Sequence, residues 1–140
     1  MAQKILFRVI APVTAGATLT LAFAPFSYWW IASFTIMYWM HLSQKFPGFL
    51  TGFLFGIGLF GSAVSWISVS MIDYGGASFL LALVMTGVFA AGLAVFPGLA
   101  TLGYSMWSNW WPTHFGKICL LTACWVTMEA FRSWFLTGFP

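Results

Sequence analysis

Two oppositely charged side chains, Glu129 and Arg132, stand three residues apart near the end of the last apolar segment. At this spacing they lie on one face of a helix and can form an ion pair. Charged side chains inside a membrane span are costly and rarely face lipid. Two interpretations remain open: a structural pair that fixes the helix in its bundle, or a site where Arg132 holds a lipid phosphate or orients a domain at the outer face, with Glu129 positioning it.

The other residues able to do chemistry do not converge in the sequence. The pair His41 and His114 is expected in loops on one side of the membrane, and Asp73 in a turn on the other side. Cys119 and Cys124 are five residues apart, which puts them about 140° apart on a helix, so both are predicted to be small buried apolar residues. The sequence therefore predicts no catalytic residue, metal site or cofactor.

The composition identifies the solvent in which this chain folds. Of its 140 residues, 61% are hydrophobic, 21% are aromatic and only 5% are charged, whereas roughly a quarter of the residues of a soluble domain are charged. Lipid stabilises such a chain because the outer faces of its helices should then be apolar. The basic residues form no stripe that could follow a nucleic acid backbone, so no nucleic acid partner is expected.

The apolar segments predict an all-α integral membrane protein, a bundle of about five transmembrane helices. Turns and polar breaks place these helices at about residues 5–23, 28–42, 48–72, 77–104 and 115–136. The fourth segment is longer than a bilayer core of about 30 Å requires. A tilt, or a break at Pro97 and Gly98, should absorb the excess.

The basic residues predict the orientation of the bundle, because cytoplasmic loops of membrane proteins carry an excess of lysine and arginine. In the five-span arrangement Asp73 falls on one side, and four basic residues fall on the other: Lys4, Arg8, Lys45 and Lys117. The N-terminus is therefore predicted to be cytoplasmic, and residue 140 to lie on the outer side.

Small residues follow one stripe of the third segment. Gly52 and Gly56 have the spacing at which two helix backbones approach closely, and Gly58 falls near a second stripe. This stripe could be a dimer face, but packing against neighbouring helices of the same chain is the preferred interpretation.

Three segments together resemble a known family. They are Leu21-Ala-Phe-Ala-Pro-Phe26, the run from Gly52 through Gly61 to Ser70 with Gly75-Gly76 after it, and Glu129-Ala-Phe-Arg-Ser-Trp-Phe-Leu-Thr-Gly-Phe-Pro140. In this order they resemble the N-terminal membrane region of bacterial apolipoprotein N-acyltransferase. The resemblance covers the whole chain but only the first quarter to third of such an enzyme.

The resemblance implies a multi-pass protein of the bacterial inner membrane, with residue 140 on the periplasmic side. The family transfers an acyl chain from a phospholipid donor to the N-terminal diacylglyceryl-cysteine of a lipoprotein acceptor, and membrane lipids surround it. Its Glu-Lys-Cys triad lies in a nitrilase-like catalytic domain that is missing here, so the fragment alone is expected to be inactive. The residues that carry over, for lipid binding or domain positioning, are Glu129, Arg132, Gly138, Phe139 and Pro140.

Two other functions remain open at this stage. The chain could be a small multi-span transporter, with Glu129 and Arg132 as its only candidate polar path. It could also be a membrane assembly subunit without chemistry, for which the stripe of small residues would be the contact surface.

Overall fold

The computed structural model describes the backbone of residues 2–135 and the side chains of residues 6–135. Within these residues the chain forms α-helices and short 3-10 turns, and no strand. The helices are α1 (Ala2–Leu19), α2 (Trp29–Lys45), α3 (Phe49–Ala63), α4 (Trp66–Asp73), α5 (Phe79–Trp107) and α6 (His114–Phe135). The prediction of an all-α membrane bundle is confirmed.

Within the described residues, the helices differ in whether they are long and apolar enough to cross a membrane. The segment Phe79–Trp110, which contains α5, is long and apolar enough to cross, with a mean hydropathy of 2.4 in its most apolar part. Helices α3 and α4 qualify only as a bent pair, and the apolar helical segment Leu6–Ala22 is shorter. The number of crossings therefore stays a prediction, although the helices lie close to the five predicted segments.

Contacts between helix ends show which ends of the helices lie at the same end of the bundle. Arg8 near the start of α1 lies over the ring of Phe46, which follows α2. The backbone N–H of Gly52, near the start of α3, donates a hydrogen bond of 3.1 Å to Oγ1 of Thr101, near the end of α5. The basic end, as we call it, thus contains Arg8, Lys45 and the first turn of α6 with Lys117.

Helix α3 lies between α1 and α5 and contacts both through glycine. A Cβ atom on Gly52 would overlap the carbonyl oxygen of Pro97 in α5, and one on Gly58 would overlap the carbonyl oxygen of Val13 in α1. Gly56 similarly meets the backbone of Ala94. Such close approach maximises van der Waals contact between helices, which drives association where lipid removes the hydrophobic effect. The prediction that the glycine stripe packs within its own chain is confirmed, and the dimer-face alternative is wrong for these glycines.

The third predicted segment is not one continuous helix, which corrects the sequence prediction. Helices α3 and α4 meet at a bend of 43°. The hydroxyl groups of Ser62, Ser65 and Ser68 donate to main-chain carbonyls three or four residues earlier. Hydrogen bonds of this kind compete with the helix ladder and often bend helices. At the bend, the backbone N–H groups of Ile67 and Ser68 donate to carbonyls three residues earlier instead of four, which is the pattern of a tighter 3-10 turn.

The fourth predicted segment contains no break, so the alternative of a break at Pro97 and Gly98 is wrong. Helix α5 runs for 29 residues with Pro97 inside it. Proline removes one backbone donor, so the carbonyl oxygen of Leu93, four residues earlier, loses its usual helical partner. The helix nevertheless continues, and the close packing of Gly52 and Gly56 of α3 against Pro97 supports this turn from a neighbouring helix. Tilting of α5, the other predicted way to absorb its excess length, stays a prediction.

The glycine contact between α3 and α5 gives a testable prediction. Gly52→Ala should destabilise the bundle by about 1–3 kcal/mol, because the backbone of α5 must move away from the new methyl group. Unfolding of the detergent-solubilised protein in SDS, followed by circular dichroism, measures this. Gly87→Ala is the matched control, because a Cβ there meets no atom within 4 Å and only the helix propensity improves. Equal stability of the two variants would contradict the described packing.

Candidate functional site

A cleft of about 550 Å³ opens at the end of the bundle opposite the basic end. It lies beside the bend between α3 and α4, and α1, α2 and α6 complete its walls. Its lining is apolar apart from the two charged residues of α6 and consists of Leu19, Phe23, Ala32, Ile36, Leu59, Phe60, Ala63, Val64, Trp66, Trp125, Glu129 and Arg132. We call this the charged cleft.

Glu129 and Arg132 form the ion pair that their spacing predicts. Nη2 of Arg132 donates to Oε2 of Glu129 over 2.6 Å, and Nε donates to the same oxygen over 3.1 Å. The side chain of Arg132 is 10% exposed and that of Glu129 is 29% exposed. The guanidinium is therefore enclosed by protein, while the carboxylate keeps more access to the cleft.

Aromatic rings hold this part of α6 against the bundle. The guanidinium carbon of Arg132 lies 5.7 Å from the centre of the Phe60 ring in α3, within the range of a cation–π contact. About two turns before Arg132 on α6, Trp125 packs edge-on against Trp39 of α2, with ring centres 4.9 Å apart. Trp39 in turn stacks on Phe55 of α3 at 5.0 Å. Packing of α6 on α5, together with these ring contacts to α2 and α3, thus determines where the ion pair lies.

The sequence did not identify the aromatic trio Trp39, Phe55 and Trp125. Each residue occurs in a different apolar segment, and aromatic residues are so frequent in this chain that three of them carry no signal. Spacing along one helix cannot show which residues of two other helices face it. Only the packing of α2, α3 and α6 brings these rings together.

The remaining candidate residues do not join the charged cleft. His41 belongs to α2 rather than to a loop, and His114 begins α6; both are exposed and lie towards the basic end. Cys119 is exposed, so the prediction that it is buried is wrong: among the described residues no other helix covers its face of α6. Cys124 is partly buried, with its thiol directed at Gly103 of α5.

Three of the predicted positioning residues, Gly138, Phe139 and Pro140, lie outside the described residues. Their role stays a prediction. Of the five residues predicted to bind lipid or position a domain, the structure therefore places Glu129 and Arg132, and it places them in contact in one cleft.

The chemistry of the charged cleft follows from its lining. Apolar walls of this extent suit a hydrocarbon chain, and a cavity of this volume is within the range of ligand pockets. The ion pair adds polar groups whose charges cancel, so a ligand head group without net charge can exchange hydrogen bonds with it and bury no net charge. The cleft therefore matches an amphipathic ligand with an apolar chain and a polar head.

Removal of one partner should reveal how strongly the bundle depends on the ion pair. Glu129→Gln should destabilise the protein by about 1–3 kcal/mol, because the largely buried guanidinium loses its charged acceptor. The double variant Glu129→Gln with Arg132→Gln should recover part of that loss, since no charge is then left uncompensated.

A double-mutant cycle from SDS unfolding measures both effects. Thr127→Ala, an exposed position on the same helix, is the control, because its hydroxyl bonds only the carbonyl of Ala123. Additive effects of the two charge substitutions would show that the pair contributes nothing as a pair.

Comparison with known proteins identifies the family of the chain. Residues 15–140 match the family model described as the Apolipoprotein N-acyltransferase N-terminal domain. The matched range includes the whole of α2 to α6 and both residues of the ion pair.

Relatives from several bacteria agree with this match. An apolipoprotein N-acyltransferase of Pseudomonas putida is 41% identical over 131 residues, covering 91% of this chain and 26% of the relative. Those of Methylococcus capsulatus and Vibrio vulnificus are 36% and 34% identical, covering 94% and 95% of this chain and 27% of each relative. The chain thus spans about a quarter of the length of these relatives. It belongs to the family of apolipoprotein N-acyltransferase N-terminal domains.

Proposed function

We propose that this chain is the membrane-embedded N-terminal part of an apolipoprotein N-acyltransferase of the bacterial inner membrane. The intact enzyme would transfer an acyl chain from a phospholipid to the N-terminal diacylglyceryl-cysteine of a lipoprotein. The observation that carries the proposal is the family match over residues 15–140, together with relatives of that name of which the chain spans a quarter. The all-α membrane bundle and its amphipathic cleft fit such a role.

In this proposal the charged cleft receives part of a lipid substrate. Its apolar walls would hold an acyl chain, and Arg132 would exchange one of its hydrogen bonds to Glu129 for a bond to a phosphate or ester oxygen. Glu129 would keep the guanidinium oriented when the cleft is empty. Gly138, Phe139 and Pro140 would position the rest of the enzyme above this end of the bundle.

The proposal assigns the covalent chemistry to another part of the enzyme. The thiol of Cys124 faces α5, and that of Cys119 lies on an uncovered face of α6. Glu129 faces α1 and α3 through the cleft, so the carboxylate is not aimed at either thiol. The arrangement therefore supports an inactive fragment that anchors the catalytic domain and admits lipid.

The orientation of the bundle is also part of the proposal. Arg8 and Lys45 contact the same ring, and Lys117 lies in the first turn of α6, so three basic residues share one end. Because cytoplasmic loops of membrane proteins carry an excess of basic residues, this supports a cytoplasmic location for the basic end. The charged cleft would then open towards the periplasmic leaflet.

No specific observation favours the transporter or the assembly subunit as an alternative function. The glycine stripe, which would be the contact surface of an assembly subunit, is already in contact with α1 and α5.

A chimeric enzyme tests the proposed function. We expect that the Pseudomonas putida relative, with its matching quarter replaced by this chain, acylates lipoprotein in a strain depleted of its own enzyme. Arg132→Ala in the chimera should lower transfer by about tenfold, which corresponds to about 1.4 kcal/mol of lost transition-state stabilisation. The 140-residue chain alone should form no acyl-thioester with radiolabelled phospholipid.

Thr127→Ala in the same chimera is the control for changes on α6 that do not touch the cleft. A folded, membrane-inserted chimera without any transfer would contradict the proposed family role. Full activity of the Arg132→Ala chimera would instead contradict only the role of the charged cleft. An acyl-thioester on the isolated chain would disprove the assignment of chemistry to another part of the enzyme.

Cysteine labelling tests the orientation independently of activity. In a chain with Cys119 and Cys124 replaced by alanine, Asp73→Cys should react with a membrane-impermeant maleimide added to intact spheroplasts, because it lies at the end opposite the basic residues. Lys117→Cys should react only after the membrane is opened. The reverse pattern would show that the N-terminus lies outside.

A further inference from the structure

A second groove lies between α1 and α2, at the end of the bundle away from the charged cleft. Its volume is about 390 Å³, and it is lined by Leu6, Phe7, Ile10, Ala11, Thr14 and Tyr38. Several of these apolar side chains are exposed, among them Leu6 at 59% and Ile10 at 47%. No helix of the described residues covers them, so lipid can reach the groove.

Two cations stand at the edge of this groove. The guanidinium carbon of Arg8 lies 5.8 Å from the centre of the Phe46 ring. Nζ of Lys45 lies 5.6 Å from the same ring and 5.4 Å from the ring of Phe7, which itself lines the groove. The aromatic contacts therefore hold both charges at the end of the apolar groove that lies nearest the basic end of the bundle.

The protein supplies no acidic side chain to balance this pair. The chain contains two acidic residues in total. Asp73 ends α4, and Glu129 is bound to Arg132 in the charged cleft, so both lie at the opposite end of the bundle. Two like charges around one ring repel each other, and an anion between them would turn this repulsion into attraction. The site thus combines two positive charges that can bind a phosphate with an apolar groove that can hold an acyl chain.

We propose that this groove binds an anionic glycerophospholipid, with the phosphate between Arg8 and Lys45 and one acyl chain along the groove between α1 and α2. Charge complementarity selects a lipid with net negative charge over a zwitterionic one, because the latter brings its own cation to a site that already holds two. This site is separate from the charged cleft and does not rest on the proposed function. The orientation of the bundle decides only which leaflet supplies the lipid.

Native mass spectrometry of the detergent-purified 140-residue chain tests the site with defined lipids. Phosphatidylglycerol and phosphatidylcholine with identical acyl chains are titrated in parallel, and we expect a higher apparent affinity for phosphatidylglycerol. Arg8→Ala or Lys45→Ala should each weaken phosphatidylglycerol binding about fivefold, and the double variant about thirtyfold. Lys117→Ala is the matched control, because that cation shares the basic end but does not border the groove.

A second pair of variants separates the groove from the charges. Thr14 is exposed and lines the groove, so Thr14→Trp should fill it and weaken phosphatidylglycerol binding without disturbing the core. Thr18→Trp, one turn further along the same helix and outside the lining, should leave binding unchanged. Circular dichroism confirms that each variant keeps its helices.

Three outcomes would overturn the proposal. Equal affinity for the two lipids would remove the role of the cations. An effect of Lys117→Ala as large as that of Arg8→Ala would show that only the overall charge of this end matters. Normal binding by the Thr14→Trp variant would show that the acyl chain does not occupy the groove.

Discussion

The close contact of α3 with α1 and α5 is the constraint on which the rest of the structure depends. Gly52 and Gly56 admit the backbone of α5, and Gly58 admits that of α1. In lipid there is no hydrophobic effect to press helices together, so association depends on contacts made at short range. A methyl group at these positions would hold the backbones apart and remove many weak contacts at once. With α3 fixed on two sides, its remaining surface is available to α2 and α6 through Phe55 and Phe60.

The two ends of the bundle differ because of this arrangement. At one end the bend after α3 moves α4 aside and leaves a cleft, and α6 places Arg132 against Phe60 within it. A charge in a membrane helix is costly unless it is paired, and Glu129 on the same helix provides the partner. At the other end the cations Arg8 and Lys45 remain near the surface, on the rings of Phe7 and Phe46. The molecule thus offers a paired charge in an enclosed cleft and two unneutralised charges above an open groove.

Several of these features could be predicted from the sequence because they depend on local spacing. The separation of Glu129 and Arg132 predicts their ion pair, and that of Gly52 and Gly56 predicts a close helix contact. The bend after Ala63 was not predicted, because it depends on hydroxyl groups whose choice of acceptor is decided by the fold. The sequence left open whether α5 is tilted or broken at Pro97, because the contacts of that turn with α3 form only in the folded bundle. The exposure of Cys119 was also missed, since an apolar segment alone does not show which of its faces meets lipid.

Side chains of α6 that contact α3 build the cleft that holds the ion pair. Cross-linking in native membranes tests this contact most directly, with Phe55→Cys and Trp125→Cys introduced into a chain free of other cysteines, because the two rings lie 6.1 Å apart. A short bis-thiosulfonate reagent should join the two thiols within one molecule, whereas the pair Phe55→Cys and Val126→Cys should not react, since Val126 is exposed. Equal reaction of both pairs, or products only between molecules, would contradict the account.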